Sequence, residues 1–403
     1  MNTLTRSFLK SKFREYYRRA DLEAPPGLES REWGFILFDE PGMRRHKSYF
    51  SPGEMADYIR GLVPAHVYHS AAYYERPGAP TMKEKIWKGA DLIFDLDADH
   101  LRKAPKSYCD MLDLVKKETQ KLLDFLLFDF GFSESKVSVV FSGGRGYHIH
   151  VRDPRVMSLT SDERREMLDY MTGRGLSIDS FIKNLSIEGD CGVESAYTLR
   201  APPENAPGWG GRINRSILSF VNHLRSLDED EAMKLLTSTK GIGPKNASLL
   251  YSNILDDAIP DKIRSGKLDF FKRSSGIWSS LLGEYLNGEA VSMSLSLNEQ
   301  RGETDEPVTA DVKRLIRFPS SLHGGSGFRV TPLTIDGLED FDPLFDAVVF
   351  GGESVPVVVV KPCSLEMRGE SFALAEGPSE LPAYAAVFLM ARGLGELGKA
   401  LEG

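Results

Sequence analysis

The sequence predicts an α+β fold, a core of mixed strands and helices interrupted by an all-helical insert. Three observations carry the prediction: an apolar run ending in two aspartates at 91–97, two strand-like runs flanking a glycine-rich turn at 136–151, and a stretch from about 212 to 289 in which strand signals nearly vanish. At 403 residues the chain exceeds the usual size of one core. The expected division is 1–208 as the first part of the core, 209–290 as the helical insert and 291–403 as the second part of the core.

Along the chain, residues 1–19 intersperse charges with Phe8, Leu9, Phe13, Tyr16 and Tyr17, the pattern of an amphipathic helix rather than a signal peptide. Asp91-Leu-Ile-Phe-Asp-Leu-Asp97 reads as a strand with Leu92, Phe94 and Leu96 facing a core and Ile93, Asp95 and Asp97 facing the other way. A helix is expected over about 107–128, and another begins near Ser161-Asp-Glu-Arg, where Ser or Asp can cap. The loop Ala201-Pro-Pro-Glu-Asn-Ala-Pro-Gly208 marks a boundary. Beyond it, Ile217, Leu218, Phe220, Val221 and Leu224, then Ala232, Met233, Leu235 and Leu236, follow helical spacing. Thr239-Lys-Gly-Ile-Gly-Pro-Lys-Asn-Ala247 resembles the hairpin of helix-hairpin-helix modules but reads first as a tight glycine turn between two helices. The end of the chain reads as a strand over 355–361 followed by a closing helix over 381–394.

Two carboxylates on one strand face cannot spread their charge, and such a pair invites a divalent cation. Hard oxygen donors suit Mg²⁺ or Mn²⁺, ions that commonly hold phosphate oxygens as well. The second feature is complementary. Lys136-Val-Ser-Val-Val-Phe141 runs into Ser142-Gly-Gly-Arg-Gly146, and Tyr147-His-Ile-His-Val151 resumes period-two alternation, with His148 and His150 on one face. Glycines let backbone N–H groups approach an anion, Ser142 adds a hydroxyl, and Arg145 adds a planar fork suited to phosphate oxygens. A carboxylate pair beside an anion cradle describes a site for a metal-bound nucleoside triphosphate.

These residues resemble the small, catalytic subunits of archaeal and eukaryotic DNA primases, in their archaeal form. The likeness rests on Phe94-Asp-Leu-Asp97, on Ser142-Gly-Gly-Arg-Gly-Tyr-His148, and on a third block from Asp305 to His323 followed by Gly324-Gly-Ser-Gly327. Weaker likenesses lie in Arg31-Glu-Trp-Gly-Phe35, Met43-Arg-Arg-His46 and Leu381-Pro-Ala-Tyr-Ala-Ala-Val-Phe388. The resemblance implies a primase-polymerase core that makes short RNA or DNA primers on a single-stranded DNA template for replication. Asp95, Asp97 and Asp305 would hold two divalent ions, while Ser142, Arg145, His148 and His323 would clamp the nucleotide, with Arg314 or Arg317 nearby. The resemblance favours Asp305 over Asp311 as the third carboxylate by its spacing to His323, and local physics agrees in part, since Asp311 stands beside Lys313 and Arg314, where a surface ion pair would satisfy it. A large primase subunit is the implied partner.

Two alternatives compete. Leu92-Ile-Phe-Asp-Leu-Asp97 also resembles the nucleophile strand of haloacid dehalogenase-type phosphohydrolases, although that strand should carry Thr or Val where Asp99 stands. The other is a catalytically silent nucleic-acid-binding subunit, which three intact carboxylates argue against. Composition narrows the rest. Lys and Arg number 50 against 58 Asp and Glu, a net charge of −8, so template contact must be local rather than a bulk basic field. Candidate cationic surfaces are Lys10, Lys12, Arg14, Arg18 and Arg19, then Arg44, Arg45 and Lys47, and then Lys313, Arg314 and Arg317. Apolar stretches are too short to span a bilayer, which needs roughly 20 residues, and a cytoplasmic protein is expected. Cys109, Cys191 and Cys363 are scattered and read as free core thiols. His100 and Cys109 alone do not close a tetrahedral site, so a structural zinc is not expected.

Overall fold

Alternating apolar residues build two four-stranded antiparallel sheets, and the way the two meet positions everything that follows. A computed structural model of the chain describes residues 1–98, 105, 107–177, 180–187, 196–268, 277, 281–282, 285–286 and 309–399. The first sheet contains β1 (Trp33–Ile36), β2 (Met43–Lys47), β3 (His66–Ser70) and β11 (Leu315–Arg317), in the order β11-β3-β1-β2. The second contains β6 (Leu92–Asp97), β7 (Val137–Phe141), β8 (Gly146–Val151) and β12 (Thr331–Leu333), in the order β12-β7-β8-β6. Between them in sequence, β4 (Ala72–Tyr74) pairs with β5 (Trp87–Ala90). The fold is α+β, as the patterning predicts.

Residue contacts divide the chain into two compact units. The first holds 1–120, 132–168 and 297–403, and the second holds 121–131 and 169–296. The expected insert, 209–290, falls inside the second unit, which also takes in 169–208 and the end of the long helix region. The Pro-rich loop is therefore internal to that unit, because the hairpin of β9 (Lys183–Ile187) and β10 (Ala196–Arg200) precedes it there.

In the first unit the helix Thr3–Arg19 buries Thr5, Leu9, Phe13 and Tyr17, a strict four-residue spacing that makes one stripe. Its cap residue Asn2 accepts the Thr5 N–H at 2.8 Å. Phe13 and Tyr17 of the stripe pack with Trp33, Phe35, Met55, Ile59 and Phe318. The closing segment is richer than a strand and a helix. β13 (Ser354–Val359) is joined by β16 (Gly377–Pro382) and β17 (Gly395–Leu397), with a hairpin of β14 (Cys363–Met367) and β15 (Glu370–Leu374) interposed before the helix Ala383–Ala391. Glycine and charge in 366–376 masked the alternation of those short strands.

In the second unit, helices Trp209–Ser226, Glu229–Ser238, Pro244–Ile254 and Ile259–Arg264 surround Ile217, Val221, Leu236, Leu250 and Ile263. Gly241, at φ +89°, turns the chain between the second and third helices, and Ile242 is buried in their core. Arg212 holds Asp129 through two hydrogen bonds of 2.8 and 3.0 Å and lies over Phe125. The helix expected at 107–128 runs Tyr108–Asp124 and then widens into a π-turn, Phe125–Asp129. Cys109 is exposed on it and Cys363 is half-buried, so neither is a core thiol; Cys191 and His100 lie outside the described residues. Among the described residues no helix is long and apolar enough to cross a membrane.

The two sheets meet at Ala71, Ile93 and Ile316. Beside that apolar contact lies a buried polar bridge. Arg31 donates to Asp91 at 2.8 Å, to Tyr73 Oη at 2.6 Å and to the Ser70 carbonyl at 2.6 Å, while Tyr73 Oη donates to Asp91 Oδ1 at 2.8 Å. Both Arg31 and Asp91 are fully buried, and Arg152 lies 3.4 Å from the same carboxylate. Removing one member of such a pair strands the other charge in the interior. Asp91→Ala is expected to destabilise the protein by about 3–5 kcal/mol, read as a lowered urea midpoint; a midpoint within experimental error of wild type would refute the bridge's role.

Candidate active site

Asp95 and Asp97 point from β6 to the face shared by Ile93, as period two requires, and their side chains are 14 % and 30 % exposed. Leu92, Phe94 and Leu96 are buried on the opposite face. β6 pairs with β8 so that Asp95 lies opposite His148 and Asp97 opposite Gly146. The glycine has a specific cause. A Cβ at Gly146 would stand 2.0 Å from the Leu96 carbonyl oxygen, so only glycine lets β8 approach β6 there.

The turn between β7 and β8 is the glycine hairpin. Ser142 N–H donates to Gly146 O at 2.9 Å, Ser142 Oγ accepts the Gly144 N–H at 3.3 Å, and Gly143 adopts φ +75°. His323 closes over it: a Cβ at Gly143 would lie 2.7 Å from His323 Cβ, and one at Gly144 would lie 3.1 Å from His323 Nε2. Ser326 Oγ donates to the Gly143 carbonyl, tying the 323–327 turn to the hairpin.

β11 brings the cations. Ile316 packs on Ile93, and Arg314, two residues before it and so on the same face, stands over the carboxylates. Arg314 Nη2 lies 3.4 Å from Asp95 Oδ2, His148 Nε2 lies 3.4 Å from Asp95 Oδ1, and Arg145 Nη2 lies 3.8 Å from Asp97 Oδ1. Arg317 contacts His66 Nδ1 at 2.7 Å and lies over the Tyr68 ring. Asp95, Asp97, Ser142, Arg145, His148 and His323 thus line one cleft of about 670 Å³, together with Arg314 and Arg317.

The histidines of the cleft are held neutral. Burial lowers the pKa of His148 despite the neighbouring Asp95. Burial and then Arg317 push His66 down to about 3, and the same two causes hold His323 well below its ordinary value. A neutral ring keeps one N–H donor and one acceptor. His323 Nδ1 accepts the Gly325 N–H at 3.1 Å, which leaves its Nε2 as the donor toward the hairpin.

Every described residue expected at the site is brought to it. Asp305 lies outside the described residues. Asp311 is satisfied differently from expectation: its Oδ1 accepts the Lys313 backbone N–H at 2.9 Å, the local turn a short carboxylate makes two residues on, while Arg314 turns to Asp95. Of the candidate cationic surfaces, Lys10, Lys12, Arg44 and Arg45 are paired with Asp39, Glu353, Glu40 and Glu32. Sequence reading missed Tyr68, Tyr108 and Arg392. Tyr68 shares period-two spacing with His66 in a strand that carries no turn signal, and Arg392 directly follows the apolar run 383–391.

The sequence model of the family described as DNA primase small subunit matches residues 94–335, a span that contains both carboxylates, the glycine hairpin and His323. The chain is 58 % identical over 402 residues to the DNA primase small subunit PriS of Methanothrix thermoacetophila, covering 99 % of this chain and 100 % of that one. It is 48 % identical over 401 residues to its namesake from Methanococcoides burtonii (99 % and 100 % covered) and 45 % identical over 413 residues to that of Methanosarcina barkeri (99 % and 98 % covered). Such identity along the full length, with both carboxylates, the glycine hairpin and His323 inside the matched span, leaves no place for the dehalogenase alternative: the chain belongs to the DNA primase small subunit family and is a primase enzyme.

Proposed function

We propose that the cleft performs metal-dependent nucleotidyl transfer, joining nucleotides into short RNA or DNA primers on a single-stranded DNA template. The observation that carries this reading is the placement of Asp95 and Asp97 on one face beside the glycine hairpin and its cations. The donor set fits divalent ions of the Mg²⁺ or Mn²⁺ class: hard carboxylate oxygens on one strand face, partly open to solvent, so that water and phosphate can complete the coordination. Asp95 and Asp97, with Asp305, would hold two such ions, which when bound neutralise phosphate charge and acidify the attacking hydroxyl.

The remaining work is positioning and charge complementarity, with no covalent step assigned to a side chain. Ser142 and the hairpin N–H groups cradle phosphate oxygens, and Arg145 offers its guanidinium fork. His148 and His323, both neutral, act as hydrogen-bond donors rather than as fixed charges. Arg314 and Arg317 balance the carboxylates and orient the nucleotide. A primase large subunit is the proposed partner, and the cytoplasm the proposed setting. The deciding assay supplies unprimed single-stranded DNA, Mg²⁺ or Mn²⁺ and ribo- or deoxynucleotides, with and without that subunit; metal-dependent oligonucleotide products are expected. Phosphate release from small phosphoesters without primer synthesis would overturn the reading.

Asp95→Asn and Asp97→Asn remove charge without changing volume. Each is expected to reduce incorporation to background while the far-ultraviolet spectrum and unfolding midpoint stay native; near-normal turnover in either variant would break the metal assignment.

Arg145→Ala and His148→Ala are expected to raise KM for the nucleotide by about tenfold, the effect of losing one hydrogen bond to a charged group, with a smaller loss in kcat. Unchanged KM and kcat in both variants would move the phosphate site elsewhere.

Asp305→Ala is expected to abolish metal-dependent incorporation, whereas Asp311→Ala, which loses a local turn contact, retains it. Parallel assays across a Mn²⁺ titration decide between them, and the reverse result would transfer the third-ligand role to Asp311.

A further inference from the structure

Each cation facing the carboxylate end of the cleft has a polar partner there: Arg314 reaches Asp95, Arg145 reaches Asp97, and Arg317 engages His66. Arg392 differs. It lines the same cleft from the C-terminal end of the helix Ala383–Ala391, yet among the described residues its guanidinium makes no hydrogen bond or ion pair. Instead it lies over the Tyr108 ring, 4.4 Å from the centroid, and beside Phe388 at 4.9 Å. Its backbone is fixed, since Arg392 N–H donates to the Phe388 carbonyl at 3.1 Å. An arginine laid on aromatic faces keeps its N–H edge open to an anion in the plane of the guanidinium.

Tyr108 has a second contact that gives this seat a purpose. Its hydroxyl donates to the carbonyl of Gly144 at 2.5 Å, so one side chain both carries Arg392 and anchors the glycine hairpin. The cleft is ordered along its length. His148 and Arg314 stand at Asp95, whereas Tyr108, on whose ring Arg392 lies, is bonded to Gly144 in the turn of the hairpin. Arg392 therefore stands at the turn end of the hairpin, while Asp95 lies opposite His148 further along β8. If the bond-making phosphate sits at the carboxylates and the triphosphate follows the hairpin, its terminal phosphate comes to that end.

We propose that Arg392 binds the terminal phosphate of the incoming nucleoside triphosphate and that Tyr108 is the positioning residue that seats it, an assignment that rests on the reading of the cleft as the nucleotide site. No bond changes at the terminal phosphorus, so the contact supports binding in ground state and transition state alike and acts on KM more than on kcat. It also makes the site count phosphates.

The test measures equilibrium binding of a nucleoside triphosphate, diphosphate and monophosphate to the full chain in Mg²⁺ without template, for wild type, Arg392→Ala, Arg392→Lys and Tyr108→Leu. Arg392→Ala is expected to weaken the triphosphate by about tenfold, the diphosphate less and the monophosphate not at all. Arg392→Lys keeps the charge without the planar fork and is expected to retain part of the preference, which covers the case in which the alanine variant fails to fold. Tyr108→Leu removes the seat and is expected to lose the triphosphate preference as Arg392→Ala does. Equal weakening of all three ligands, or none, in the Arg392 variants would overturn the proposal, and an undiminished preference in Tyr108→Leu would overturn the role of the seat. Primer synthesis by Asp95→Asn separates the two levels: an active Asp95→Asn enzyme refutes the cleft reading itself, whereas an inactive one beside wild-type ligand preferences in the Arg392 variants refutes only this assignment.

Discussion

Asp95 and Asp97 face the cleft because β6 pairs with β8 in one register and no other, and the cations, the hairpin and the histidines all take their places from that pairing. A slip of one residue would turn both carboxylates into the apolar layer formed by Leu92, Phe94 and Leu96, and would bring those side chains out. Two things hold the register. The apolar alternation makes the slip costly along the whole strand, and Gly146 lets β8 close on the Leu96 carbonyl where any other residue would collide. The same pairing sets His148 against Asp95, so the hairpin is a built part of the carboxylate site rather than a neighbour of it.

Behind the cleft, the layer between the sheets is more polar than a core usually is. Arg31, Tyr73 and Arg152 share the carboxylate of Asp91, while His69 and His150 stand nearby with their Nε2 atoms unpartnered among the described residues. Burial and the adjacent arginines hold both imidazoles well below their ordinary pKa. The layer therefore carries its positive charge on arginines, with neutral rings filling the space between them. Arg164 extends it by donating to the Asp91, Ala90 and Val156 carbonyls, which pins the chain where it enters β6. A buried charge so thoroughly bonded constrains position as well as energy, and the strand it constrains is the one that carries the carboxylates.

How much of this could be read beforehand follows from how local each signal is. The strand at 92–97 and the hairpin at 137–151 are written in consecutive residues, through period-two alternation and a glycine turn, and they stand where they were expected. The first helix and the helices after residue 209 are legible for the same reason. Tyr108, Arg392 and the Arg31–Asp91 bridge were not legible, because each depends on segments tens to hundreds of residues apart meeting in space. Asp311 shows a different limit: its neighbours in sequence suggested an ion pair, and the shorter reach to its own backbone prevailed. The strands β14 to β16 were hidden because exposed charged residues interrupt their alternation.

The two ends of the first unit are bound to each other. Asn2 donates to Glu396 through its backbone and its side chain, and the Leu397 N–H donates to Thr5 Oγ1 at 2.9 Å, so the first helix is completed by the last strand. A chain made from its amino end reaches that strand last, whereas the second unit, drawn from 121–131 and 169–296, has all its residues earlier. Synthesis is vectorial, and units form as their residues emerge. The carboxylates and the hairpin would leave the ribosome long before the helix whose end places Arg392 in the same cleft. The cleft gains Arg392 and Leu394 only after every residue of the second unit has been made.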